Sequence, residues 1–105
     1  MSEPVFLTIQ EVERLHQKLI ARFGGSSGIR DRGLLEGAVD QPKNVYHYGQ
    51  GDLFEVAAAY AYHIAEAQAF FDGNKRAAAA AAITFLDGNG ISSDFDAMLT
   101  GPQHD

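Results

Sequence analysis

The 105-residue chain has no cysteine and no tryptophan, only three prolines, and 8 Lys and Arg against 14 Asp and Glu. Without cysteine it forms no disulfide and no thiolate metal site, a composition that suits a reducing compartment. No stretch approaches the roughly 18 apolar residues of a membrane span, and the first residues lack the basic, apolar and small-residue order of a secretory leader. The expectation is therefore a cytoplasmic protein with no membrane partner. A formal charge of −6 argues against direct nucleic-acid binding, because non-specific affinity for DNA or RNA comes from Lys and Arg neutralising phosphates. The length suits one domain over residues 1–105 with a real core, and residues 100–105 read as a disordered tail.

Helix punctuation, by contrast, is plentiful. Thr8 and Glu11 form a capping-box pair, and Val12, Leu15, His16, Leu19, Ile20 and Phe23 then recur at helical spacing until Gly24 and Gly25. A second, short helix is expected from Asp31 through Val39, stopped by Gln41 and Pro42. Lys43 to Gly51, with Tyr46, His47 and Tyr48 among turn formers, reads as a loop whose aromatics dock onto the core or edge a pocket. Asp52 and Glu55 form a second capping-box pair and open a helix from Leu53 to Ala67, apolar almost all round and so central and buried. Another helix follows Gly73 through a run of alanines to Leu86, closed by Gly88, Asn89 and Gly90; Ser92 or Ser93 caps a last one through Met98.

The chemistry gathers at Gln68 to Arg76, QAFFDGNKR. Gly73 and Asn74 stand where a loop passes into a helix, whose first N–H groups lack intrahelical partners and carry partial positive charge. A phosphate suits that position. Gly73 allows close approach, Asn74 turns the backbone or donates from its amide, and Lys75 and Arg76 add full charge. Asp72 would repel a bare phosphate but not one that shares a divalent cation with it, as magnesium does with one carboxylate and phosphate oxygens. A plain helix start would need no more than an Asp72 cap, a turn and two solvated bases.

Over Leu53 to Gly90, and most closely over AFFDGNKR, the chain resembles the Fic and Doc superfamily, whose central motif has the form H-x-F-x-D/E-G/A-N-x-R. It looks most like the Doc, or death-on-curing, branch of toxins from toxin-antitoxin modules. FGGSSGIRDRGLLEGAVDQP and LFEVAAAYAYHIA are also similar to that branch, so the likeness covers about residues 8 to 95. It implies an all-α, compact single-domain helical bundle with a central buried helix pair and the motif loop between its members. AMP-transferring members usually have glycine where Lys75 stands and a second arginine where Ala79 stands. Lysine there implies a kinase that transfers the ATP γ-phosphoryl group to a protein Ser or Thr hydroxyl, with elongation factor Tu as the expected target.

Carried over position by position, the resemblance implies that Asp72 holds Mg2+ and that Gly73 and Asn74 cradle phosphate. Lys75 and Arg76 would stabilise the transferring group, and Phe70 would anchor the loop. It further implies an antitoxin whose C-terminal segment folds as a helix on the toxin. The departure is Gln68, which stands where the motif has its histidine, the general base. An amide positions a hydroxyl but takes no proton, so the expectation is an attenuated or inactive enzyme. The alternatives are a non-catalytic module binding nucleotide or antitoxin, and an AMP transferase. His16 and His63 read as satisfied packing histidines. His63, five positions before Gln68, points about 140° away on a helix, so it is no substitute base.

Overall fold

The computed structural model describes residues 3–49 and 51–92. They form four helices, α1 (Ile9–Phe23), α2 (Arg32–Tyr48), α3 (Leu53–Ala67) and α4 (Asn74–Gly88). No strand occurs among the described residues; one isolated antiparallel bridge pairs Ile29 with Phe70. The expected helix ending at Met98 and the tail of residues 100–105 lie outside the described residues.

Both capping boxes form. Thr8 Oγ1 accepts from Glu11 N–H while Glu11 Oε1 accepts from Thr8 N–H, and Asp52 and Glu55 repeat the exchange at α3. Each satisfies two backbone donors that a helix start leaves open. Those caps fix where α1 and α3 begin, and hence which faces they bury. On α1 the buried residues are Val12 and His16, and on α3 they are Val56, Ala57, Ala59, Tyr60 and Ile64.

The central pair is α3 with α4, the most extensive helix packing in the fold, with α2 packed against α3 and α1 against α4. Ala77, Ala78 and Ala81 are buried along α4, with Phe85 fully enclosed at its end beside Tyr60, 5.3 Å between ring centroids. Alanines on the inward face let α4 lie close to α3 while its N-terminus stays at the surface, where the motif loop joins the two helices.

The expected stop at Pro42 is overturned: α2 runs on through Pro42 to Tyr48, so the segment from Lys43 is helix and not loop. Proline removes the N–H that Ala38 would accept and costs about 3 kcal/mol or more inside a helix. Here its ring is fully buried, and the following turn packs Val45 and Tyr46 against the core, with Tyr46 edge-on to Phe6 at 5.9 Å. Burial of that turn outweighs the lost bond. Tyr48, at the end of the helix, stays exposed.

Tyr60 carries a pH dependence. It is fully buried, and its hydroxyl accepts from Leu7 N–H at 2.9 Å. Burial pushes the phenol from 10.0 up to about 12, against a smaller opposing pull from that hydrogen bond. The unfolded chain therefore releases this proton first. Stability is complete below pH 10 and falls as pH rises from 10.0 towards about 12. In urea titrations across that range, Tyr60→Phe should lose the slope. At neutral pH it should cost about 1–3 kcal/mol, because the buried Leu7 N–H loses its acceptor. An unchanged alkaline slope would remove Tyr60 as its source.

Candidate functional site

The loop between α3 and α4 is held from three sides. At its start Gln68 takes a left-handed conformation, φ 53 and ψ 40, the one positive-φ residue other than glycine among the described residues. Its side chain turns back to donate to the Ala65 carbonyl at 2.8 Å, ending α3. Arg30 Nε and Nη2 donate to the Gln68 carbonyl at 2.9 and 2.6 Å, and the Arg30 and Asp31 N–H groups donate to the Ala69 carbonyl. The glycine-rich segment after α1 is thus a strap across the loop, and the bridge between Ile29 and Phe70 belongs to it.

In the middle, Phe70 is buried with its ring stacked on His16, centroids 3.8 Å apart and planes within 6°. Asn74 closes the loop on itself. Its Oδ1 accepts from Phe70 N–H and its Nδ2 donates to the Phe70 carbonyl, both at 3.0 Å, with a longer contact of 3.5 Å to Gln68 Oε1. The Asn74 amide therefore faces inward, and its backbone N–H is what it offers an anion.

At the end of the loop, Asp72 does not cap α4. The cap is Gly73, φ 75, with no side-chain hydrogen bond. The Asp72 carboxylate instead accepts from Gly73 N–H at 2.9 Å and from Ser26 N–H at 3.2 Å. Gly25 makes room for it, since a Cβ there would stand 2.6 Å from Asp72 Oδ2. The N–H groups of Asn74, Lys75 and Arg76 consequently have no hydrogen-bond partner among the described residues. Lys75 and Arg76 are exposed and form no ion pair among them. The Arg76 guanidinium lies 4.5 Å above the centre of the Phe23 ring at the end of α1.

These groups converge. An open concavity of about 410 Å³ is lined by Gln68, Phe71, Asp72, Gly73, Asn74, Lys75 and Arg76. It presents three free backbone donors, two cations and one carboxylate, the donor set that suits a phosphate chain with a hard cation on one side. No group of three or more His, Asp or Glu stands together among the described residues, so a cation here would depend on Asp72 and on its ligand's own oxygens.

A model of the Fic/DOC family matches residues 6–86, which spans both the strap and the loop. The chain belongs to the Fic/DOC family. It is 37% identical over 83 residues to the protein kinase Doc of Escherichia phage P1, covering 78% of this chain and 66% of that protein. It is 46% identical over 79 residues to the toxin Doc of Mycolicibacterium smegmatis, covering 70% of this chain and 60% of that one. The aligned part thus spans slightly under two thirds of the length of these relatives.

Two residues at the site were missed by sequence reasoning. His16 was read as a packing histidine, and it is one, 1% exposed, but its Nε2 also meets the Asp72 carbonyl at 2.7 Å. Arg30 sits in the strap segment that carried part of the resemblance, with nothing in its spacing to show which carbonyl it holds. His63 is half-buried on α3, edge-on to Tyr62, and does not line the concavity.

Proposed function

We propose that this chain is a Doc-type toxin domain that binds ATP and Mg2+ at the N-terminus of α4 for γ-phosphoryl transfer to a protein Ser or Thr hydroxyl, attenuated by Gln68. The observation that carries this reading is the uncapped first turn of α4 with Lys75, Arg76 and Asp72 around it, in register with the family motif. When bound, ATP would supply the phosphoryl group and Mg2+ would neutralise charge on its oxygens. Asp72 would hold the cation, and the free N–H groups of Asn74, Lys75 and Arg76 would hold phosphate oxygens. The two cationic side chains would meet charge that grows as the phosphoryl group moves. The acceptor hydroxyl must lose a proton as its bond to phosphorus forms, and Gln68 does not take it. Elongation factor Tu as acceptor, a cytoplasmic location and an antitoxin partner with a helical C-terminal segment follow from the likeness to Doc toxins. No helix among the described residues is long and apolar enough to cross a membrane.

A second reading, a binding module without turnover, is favoured by one observation. The Gln68 amide is engaged with Ala65 and Asn74, within the protein's own backbone and loop. Calorimetric titration with ATP tests what both readings share. Heat of binding is expected with Mg2+, with Asp72→Asn removing the dependence on the cation. Absence of heat with Mg2+ present would sink the cradle and the phosphoryl-transfer reading, and would leave of the second reading only a module that binds an antitoxin.

A further inference from the structure

The peptide unit between Asp72 and Gly73 decides where the site's carboxylate and first helix donors point. In a trans peptide the carbonyl and the N–H point in opposite directions. The Asp72 oxygen faces α1 and the Gly73 N–H faces the Asp72 carboxylate. Gly73 is left-handed and lacks a side-chain cap, so neither its own side chain nor a helical bond holds this plane. The Asp72 carboxylate meets the N–H side of the plane, and His16 holds its carbonyl side. A carbonyl only accepts, so the 2.7 Å contact requires a proton on His16 Nε2. The ring is fixed in turn by its stack on Phe70 and by near-complete burial. A Cβ on Gly73 would stand 3.5 Å from that nitrogen and 3.3 Å from Ile20 Cδ1, which shows how closely α1 abuts the loop.

Resting on the phosphoryl-transfer reading above, we infer that His16 is a positioning residue of the site. Its Nε2–H latches the Asp72 carbonyl to α1, and so sets the Asp72 carboxylate and the free N–H groups of α4 for a Mg-nucleotide. It touches neither phosphate nor acceptor.

The test separates latch from packing. His16→Phe keeps a flat ring for the stack on Phe70 and removes the donor, whereas His16→Gln keeps a donor and removes the ring. If the latch matters, His16→Phe should stay folded with a melting temperature lower by roughly 5–10 °C, as expected for loss of one buried hydrogen bond, and bind Mg-ATP about 10-fold or more weakly. It should also speed amide exchange at Phe70 and Ala77, whose bonds to Asn74 Oδ1 and the Gly73 carbonyl depend on the loop's shape. His16→Gln should recover part of both. Equal affinity and equal exchange in His16→Phe and the unaltered chain would overturn the proposal. Were the unaltered chain to bind no Mg-ATP, the functional reading would fall while exchange at Phe70 and Ala77 still judged the latch.

Discussion

Gln68→His should raise transfer from γ-labelled ATP to a protein acceptor by about 10²–10⁴-fold, the usual contribution of a positioned general base. On the proposed reading the rest of the cradle is in place without it. The Asp72 carboxylate, the free donors of α4 and both cations stand where the motif loop leaves them. The backbone also favours the change. At φ 53 histidine, which is enriched among left-handed residues other than glycine, fits at least as well as glutamine. The bond from the Gln68 amide to Ala65 is lost, but the Arg30 clamp is made to the carbonyl of residue 68 and survives the substitution. Melting temperatures should therefore stay close while rates diverge. The histidine form should also gain a pH dependence. Its base works unprotonated, so transfer should rise with pH around about 6.5 and fall away below it, whereas the glutamine form has no such group to titrate. Label from α-labelled ATP in place of γ would turn the assignment to AMP transfer. Equal labelling by both forms would show that position 68 is not where the proton goes.

Much of this site was legible in the chain because it is local. Two capping boxes place the starts of α1 and α3, and a glycine-asparagine turn before an alanine run places Gly73 to Arg76 at a helix start, and the structure agrees within a residue. What escaped is set by distant partners. His16 and Asp72 are separated by 56 positions and Arg30 and Gln68 by 38, and no periodicity carries such pairings. Pro42 misled for a related reason. Its local penalty is real, and only the core that receives its ring and the turn after it reverses the outcome. Asn74 shows a third kind of limit. Either face of its amide suits its place in the motif, and the choice to close the loop onto Phe70 is made by the fold.

Arg76→Ala, made in the Gln68→His form, should lower γ-phosphoryl transfer by about 10²–10³-fold, the scale for removing one group aimed at developing charge. Its side chain is exposed and forms no ion pair among the described residues. Folding should change by no more than the cation–π contact with Phe23, about 0.5–1 kcal/mol at an exposed site. A large loss of rate with a small loss of stability is the signature of a group held for a ligand. The ring matters as well. With the guanidinium 4.5 Å over Phe23, the side chain is kept beside the first turn of α4 before any ligand arrives. Arg76→Lys keeps the charge but neither the planar fork nor the stacking, so it should restore only part of the rate. Arg22 lies over the same ring at 5.6 Å and does not line the concavity. Arg22→Ala should accordingly leave transfer within about 2-fold, since surface substitutions away from a site are usually small in effect. Comparable losses from Arg22→Ala and Arg76→Ala would mean that general surface charge, and not the placement of Arg76, draws the nucleotide in.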